Sequence, residues 1–297
     1  MSPTSAATSR FDAALPAVPP ARIPHLLRGN GVAEVVLGES AGKTGIVHLY
    51  QQTPCRVLFP SPPRKELLTA VLLTTSGGLT GGDQIRVTVL GQVNSQAVIT
   101  SQAAEKIYRS KGAPTNVDSH IQAETGSWLE WIPQETILFD RCRLSRSTTI
   151  TASPGAEIIA GDLMVFGRLA HGELFTQGTL RDTWKVLRDG RPVWLDRLIL
   201  GETPGAPLDH AASLGGARAM ATFIYVADHA IDHVETARAL LDPCPIRCGV
   251  TCVNGVLITR FLAEDPHQLR LEFMRFWSAF RAAVKSLRPQ VPRVWEC

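Results

Sequence analysis

The chain has 297 residues, of which 44% are hydrophobic and 19% charged, and its formal net charge is +3. This composition is typical of a folded globular protein, and it excludes a disordered chain and a strongly basic nucleic-acid-binding protein. No run approaches the roughly 18 apolar residues of a membrane-spanning helix, so the sequence predicts a soluble protein with no nucleic-acid or membrane partner.

The first 28 residues predict a flexible leader, because five prolines stand there among Ser, Thr and Ala. The apolar run between Arg10 and Pro16 is interrupted by Asp12 and is too short for the core of a secretory signal peptide. The six cysteines of the chain do not make a disulfide framework. A cytoplasmic protein with free thiols is therefore expected.

From Val32 to Leu200 the chain is a succession of short β-prone runs separated by Gly, Pro, Asn and Asp. Strands do not alternate with helices over this length, and no linker marks a domain boundary. We therefore predict a mainly β protein in which residues 29 to 297 form a single domain. That domain is expected to be a large, antiparallel-rich scaffold of stacked layers.

Residues 38 to 44, with the sequence Gly-Glu-Ser-Ala-Gly-Lys-Thr, resemble a phosphate-binding P-loop, in which a lysine meets the phosphates and a hydroxyl meets magnesium. The spacing is wrong, because Leu37 stands where the first glycine should be, and the residues that follow are β-prone. A phosphate loop without a helix N-terminus lacks its oriented donors. A nucleotide-binding enzyme that uses this segment is kept as an alternative.

Four glycines and an aspartate form a loop between two β-prone runs: Gly77, Gly78, Gly81, Gly82 and Asp83. Such a cluster is costly to order, so the chain needs positive φ or a close backbone approach there. A phosphate loop is excluded, because no Lys-Ser or Lys-Thr follows and the next segment is β-prone. We predict a tight connection between two strands.

Several acids fall in or beside apolar strands, where an unpaired carboxylate would be costly to bury: Glu105, Glu130, Glu135, Asp140 and Asp162. Basic residues nearby in sequence are candidates to neutralise them, namely Lys106, Arg109, Arg141 and Arg168. The alternative is a water-filled passage whose carboxylate and water contacts hold a divalent ion weakly enough for it to move on. We favour Glu135, Asp140 and Asp162 for such a path.

Two helices are predicted near the C-terminus, over residues 228 to 241 and 265 to 286. His229 and His233 lie four apart on the first helix, a spacing that can hold a divalent ion, although a solvated polar face explains them more simply. The second helix carries an aromatic stripe of Phe273, Phe276, Trp277 and Phe280. Such a stripe packs on the protein's own sheet or forms a partner-binding face.

Cys244, Cys248 and Cys252 repeat at four-residue intervals, but Pro243, Pro245 and Gly249 break any helix that would align them. Thiolates suit zinc or copper in closed sites. A metal-storage protein built on these cysteines and the two histidines is a second alternative. Because the sequence has no Gly-x-Ser-x-Gly elbow and no His-Glu-x-x-His pair, we expect a protein that is not an enzyme.

Five segments carry a family resemblance in the right order: TTSGGLTGGD at 74 to 83, QAAEKIYRS at 102 to 110, LEWIPQETILFD at 129 to 140, GDLMVFGRLAHGE at 161 to 173 and PRVW at 292 to 295. Together they resemble the urease accessory protein family UreD, called UreH in some organisms. The resemblance extends from about residue 30 to the C-terminus. The three-cysteine set is a departure from the family pattern.

The resemblance implies a β-helix-like scaffold that assists nickel insertion into urease. It implies binding to the accessory protein UreF, through UreF to the GTPase UreG, and to the urease apoprotein, with a two-fold dimer of the UreD-UreF-UreG complex as one arrangement. GTP hydrolysis would belong to UreG. Ni(II) would be a transient cargo on the acidic path rather than a tightly bound cofactor, and part of the aromatic stripe would face UreF.

Overall fold

The computed structural model describes residues 28–61 and 66–296. Its strands are β1 (Asn30–Ser40), β2 (Lys43–Gln52), β3 (Cys55–Leu58), β4 (Leu68–Thr74), β5 (Gln84–Gly91), β6 (Gln96–Ser101), β7 (Glu105–Ile107), β8 (Thr115–Ala123), β9 (Trp128–Ile132), β10 (Thr136–Leu138), β11 (Arg143–Ala152), β12 (Glu157–Phe166), β13 (Thr179–Arg188), β14 (Arg191–Leu200), β15 (Ala219–Val226), β16 (Arg247–Val253) and β17 (Val256–Ala263). The helices are α1 (Gly205–Asp209), α2 (Val234–Leu241) and α3 (Pro266–Lys285). The predicted leader lies outside the described residues except for Arg28, and the division into a leader and one domain stays a prediction.

These strands form two sheets that pack on each other. Sheet A has seven strands in the order β14-β13-β11-β8-β5-β1-β2. Sheet B follows the order β16-β17-β15-β12-β9-β6-β4-β3, with β10 beside β12 and β7 beside β10. Sheet B therefore carries the last three strands of the chain as well as the strands that alternate with those of sheet A.

The chain winds between the sheets, so that each turn adds one strand to each of them. In sheet A the strands β5, β8, β11 and β13 begin at residues 84, 115, 143 and 179, and in sheet B the strands β4, β6, β9 and β12 begin at 68, 96, 128 and 157. Each strand lies beside the equivalent strand of the next turn and runs in the same direction. The prediction of a mainly β, β-helix-like scaffold is confirmed.

The prediction of an antiparallel-rich scaffold is wrong for the centre of both sheets. Among the described residues nine strand pairings are parallel and six are antiparallel. The antiparallel pairs lie at the two ends of the winding. The path of the connecting chain sets the direction of a strand relative to its neighbour, and the alternation of apolar residues within a strand does not record it.

Two apolar cores hold the layers together. The first lies between the sheets and combines inward-facing residues such as Val89, Ile121 and Ile150 of sheet A with Ile158 of sheet B. The second lies between the opposite face of sheet B and the helices α2 and α3. Sheet B is thus covered on both faces, which explains why β12 is buried at nine of its ten positions.

The C-terminal helix begins and ends almost where the sequence predicts. Asp265 caps α3 by accepting a hydrogen bond from the backbone N–H of His267, Pro266 occupies the first turn, and Ser286 ends the helix in the left-handed conformation. The helix predicted from residue 228 begins later, because residues 230–233 form a 3-10 turn and α2 starts at Val234. No helix in the described part of the chain combines the length and the hydropathy needed to cross a membrane.

The P-loop-like segment forms a tight hairpin turn between β1 and β2. Ala41 and Gly42 at its centre have φ angles of 53° and 74°, as a two-residue hairpin loop requires. Thr44 lies in β2, so no helix follows the lysine. The nucleotide-binding alternative is therefore wrong for this segment, because the backbone donors of a helix N-terminus are missing.

Candidate functional site

A cavity of about 140 Å³ lies between the two sheets, at the end near the glycine loop. Its wall combines apolar groups such as Trp131 and Trp184 with the charged residues Glu105, Arg146 and Asp162. These charged side chains come from three different turns of the winding. The cavity is the part of the structure that best fits the predicted acidic passage.

Arg146 joins the two sheets through two carboxylates. Its guanidinium donates from Nη1 to Asp162 at 2.9 Å, and from Nε and Nη2 to Asp182 at 2.8 and 3.0 Å. Nη1 also donates to the hydroxyl of Thr136 at 3.1 Å. Burial and the neighbouring Asp182 carboxylate raise the pKa of Asp162 to about 6, although Arg146 opposes that rise.

The strand alternation could have identified Arg146 and Asp182, which the sequence analysis missed. Arg146 shares its inward-facing parity in β11 with the buried residues Leu144 and Ile150. Asp182 likewise alternates with the buried Leu180 and Trp184 in β13. A charged residue in an inward-facing register needs a partner across the core. The partner of Asp162 is therefore Arg146, which lies across the core, and not one of the basic residues expected from the sequence.

Glu105 is the least compensated acid of the cavity. Its carboxylate accepts a hydrogen bond of 3.1 Å from the Thr74 hydroxyl, and it forms no ion pair with a basic side chain of the described residues. Burial raises the pKa of Glu105 to about 7. Burial and the Glu105 charge also raise the pKa of the Cys55 thiol to about 11.

Glu135 and Asp140 lie just beyond the two ends of β10 and are held by different partners. Glu135 forms an ion pair with Arg270 of α3, and its backbone carbonyl accepts from the N–H of Glu105 at 2.9 Å. Asp140 accepts from the backbone N–H groups of Thr176 and Gln177 at 2.8 and 2.9 Å. Burial acts to raise the pKa of Asp140, but these hydrogen bonds outweigh it and lower the pKa.

The predicted acids are therefore linked by β10 rather than gathered in one cluster. Of the basic partners expected from the sequence, Arg141 pairs with Asp140, at 3.6 Å. Glu130 is fully buried beneath α3, where Arg281 and two tryptophan N–H groups satisfy its carboxylate. Glu130 is thus part of the core that attaches the helix to sheet B.

The glycine loop connects two strands, as the sequence predicts, but it is not a tight turn: residues 75–83 run from β4 of sheet B to β5 of sheet A. Asp83 fastens it, because its carboxylate accepts from the backbone N–H groups of Gly29 and Thr80, both at 2.8 Å. Gly78 and Gly82 have φ angles of 147° and 94°. A Cβ atom on Gly81 would lie 1.8 Å from the Ser110 hydroxyl, so only glycine lets the two loops approach this closely.

The aromatic stripe of α3 lies inside the protein. Phe273, Phe276, Trp277 and Phe280 are all fully buried, and Phe276 makes an edge-to-face contact with Phe223 of β15 at a centroid distance of 5.0 Å. These four rings therefore pack on the protein's own sheet and leave no surface for a partner. The proposed partner-binding role of the stripe is corrected, because the second core requires these rings.

His229 and His233 lie at the 3-10 turn before α2, with ring centroids 5.3 Å apart. The hydroxyl of Tyr225 lies 3.3 Å from Nε2 of His229, and burial together with the His229 charge lowers the pKa of His233. Cys244, Cys248 and Cys252 are free thiols. Within residues 28–61 and 66–296 no group of three or more His, Cys, Asp or Glu side chains is arranged to hold a metal ion.

Comparisons with known proteins show which protein family the chain resembles. The family model for the UreD urease accessory protein matches residues 29–296. The chain is 39% identical over 273 residues to a urease accessory protein UreD of Magnetococcus marinus, a match that covers 90% of this chain and 94% of the relative. It is 38% identical over 293 residues to a urease accessory protein UreD of Xanthobacter autotrophicus, covering 98% and 99% of the two chains.

Proposed function

Because the chain belongs to the UreD family of urease accessory proteins, we propose that it is a non-enzymatic scaffold that helps deliver Ni(II) to the urease active site. The observation that carries this proposal is the similarity to UreD proteins over almost the full length of both chains. In this role the chain binds UreF and the urease apoprotein, and UreF brings the GTPase UreG. Hydrolysis of GTP by UreG releases the ion.

The acids around β10 supply the chemistry for a transient cargo. Glu135 precedes this strand and Asp140 follows it. Asp162 is connected to Thr136 of the strand through Arg146, whose guanidinium donates to both side chains. Carboxylates already engaged by arginines and backbone N–H groups bind a divalent ion weakly, which favours passage over storage. Glu105 has no basic partner among the described residues, so a divalent cation can compensate its burial.

The contribution of the scaffold is to hold the bound proteins in position. Holding the exit of the ion beside the urease active site raises its effective concentration there and excludes competing ligands. Metal storage is the weaker candidate, because the described residues contain no three-ligand cluster of the kind that retains a metal.

The test is nickel-dependent urease activity in cells that carry urease and the other accessory genes. Deletion of this chain is expected to abolish activity. Asp162→Asn, Asp140→Asn and Glu105→Gln are expected to lower it, while each variant still copurifies with UreF. Asp118→Asn, an exposed acid of β8, serves as the matched control.

Two results decide between the parts of the proposal. Full activity after deletion would remove the chain from this pathway. Full activity in all three acid variants, with deletion still abolishing activity, would leave a scaffold but remove the acidic path.

A further inference from the structure

A cationic pocket lies on the outside of the glycine loop. It has a volume of about 610 Å³ and is formed by Thr80, Gly81, Gly82 and Gln84 on one side and by residues 109–113 on the other. Arg28, Arg109 and Lys111 line it, and all three are exposed. The role proposed above does not use this pocket, although the glycine loop that builds it is the most distinctive motif of the sequence.

The walls of the pocket are preformed. Gly82 donates its backbone N–H to the carbonyl of Pro114 at 3.0 Å, and the Ser110 hydroxyl donates to the carbonyl of Ala113 at 2.7 Å while accepting from the N–H of Gly112 at 3.2 Å. The backbone of Gly81 lies so close to the second loop that a Cβ atom there would overlap the Ser110 hydroxyl. A preformed site loses less conformational entropy on binding than a flexible one.

The charge of the pocket is uncompensated. Arg28, Arg109 and Lys111 form no ion pair within the described part of the chain, and no carboxylate lines the pocket. The adjoining hollow contains Asp140 and Glu173, but these acids pair with Arg141 and Arg168 at 3.6 and 3.3 Å.

We propose that this pocket docks an acidic segment of a partner protein, a short run of Asp and Glu side chains. Three separated cations match several carboxylates better than they match one phosphate ion. The lining residues include no aromatic ring on which a nucleotide base could stack. The proposal rests on the scaffold role above for its partner, and it gives the chemistry by which that partner is recognised.

A binding assay with a synthetic peptide tests the pocket without the urease pathway. The full-length chain is immobilised through a C-terminal tag, and fluorescent hexaglutamate is the probe. Arg109→Glu combined with Lys111→Glu is compared with Arg191→Glu combined with Arg197→Glu, two exposed cations of β14 that change the net charge equally. Inorganic phosphate and GTP are separate competitors.

The wild type and the β14 control are expected to bind the peptide, with binding that weakens as salt rises, and the pocket variant is expected to lose about tenfold in affinity. Equal binding by the two variants would overturn the proposal, because the attraction would then be general. Displacement of the peptide by millimolar phosphate or GTP would reassign the pocket to a phosphate ligand. If the deletion assay fails while peptide binding holds, the pocket stands and its partner lies outside urease maturation.

Discussion

The carboxyl group of Glu105 is placed where burial controls its ionisation. Because the pKa of Glu105 in the folded state, about 7, lies above the ordinary value of 4.5 for an exposed glutamate, the fold favours the protonated form. The resulting stability is fully present below pH 4.5 and is lost as pH rises through 7. The residue is thus neutral in mild acid and increasingly anionic under the conditions in which a cation would be bound.

The raised pKa of Glu105 predicts that the stability of the protein depends on pH, and one substitution should remove this contribution. The unfolding free energy of the wild type is expected to fall by about 2 to 3 kcal/mol between pH 5 and pH 8 through this group. Glu105→Gln keeps an acceptor for the Thr74 hydroxyl but does not titrate, so its decline should be smaller by that amount. Urea denaturation at both pH values measures the difference, and parallel curves for the two proteins would contradict the assigned pKa.

Position 81 requires a residue without a side chain. Gly81→Ala would place a Cβ atom 1.8 Å from the Ser110 hydroxyl and 2.5 Å from the carbonyl oxygen of Ala113. The overpacking is expected to lower the unfolding free energy by about 1 to 3 kcal/mol. Chemical denaturation measures the loss.

Gly77 provides the control within the same loop. The nearest atom to a Cβ on Gly77 is the Tyr108 hydroxyl, at 3.8 Å, which is an ordinary contact. Gly77→Ala should therefore change the unfolding free energy by less than about 0.5 kcal/mol. Similar losses in the two variants would mean that the loop responds to alanine in general rather than to the close approach at Gly81.

At the scale of the element, α3 is a structural helix whose apolar face completes the second core. Phe276 contacts Phe223 at 5.0 Å and Phe261 at 5.5 Å, one ring from each of two neighbouring strands. Trp277 and Arg281 add hydrogen bonds of 2.7 and 2.9 Å to the buried carboxylate of Glu130. The helix is held by both packing and a satisfied charge.

Truncating one side chain on each face of α3 should show that the buried face, and not the exposed one, stabilises the fold. Phe276→Ala is expected to cost about 3 to 5 kcal/mol of unfolding free energy, because it leaves a cavity beneath the helix. Leu271→Ala, at a side chain that is 49% exposed on the same helix, should cost less than about 1 kcal/mol. Thermal and urea unfolding provide the measurement, and equal small effects would show that the stripe is not a core.

At the scale of the whole molecule, the winding leaves sheet A with an exposed apolar edge. β2 pairs with β1 on one side and has no strand on the other in the described structure. Ile46 and Val47 on this edge are 45% and 60% exposed. An unprotected edge of this kind promotes association between copies.

A lysine on this edge should make the isolated protein more soluble. Val47→Lys is expected to raise the concentration at which the chain stays monodisperse by about twofold or more, because a charge blocks edge-to-edge pairing. Gln122→Lys on the exposed face of the central strand β8 adds the same charge away from the edge. Light scattering compares the two, and an equal improvement would assign the effect to net charge alone.

Much of the local structure could be read from the sequence. The cap at Asp265, the proline after it and the helical spacing of large apolar side chains determine where α3 begins and ends, because these signals act within one or two turns. The glycine loop was likewise identified as a connection between two strands, since few other residues adopt the backbone angles of Gly78 and Gly82. The series of short β-prone runs determined the mainly β class.

Strand direction and charge pairing were decided only by the tertiary structure. The winding brings Asp162 to Arg146 across 16 residues, and Glu135 to Arg270 across 135. Sequence proximity could not identify such partners, because a buried charge pairs with whatever basic group the fold places across the core. The same holds for the aromatic residues of α3: their spacing determines a common face, but whether sheet B or another protein covers that face depends on how the whole chain folds.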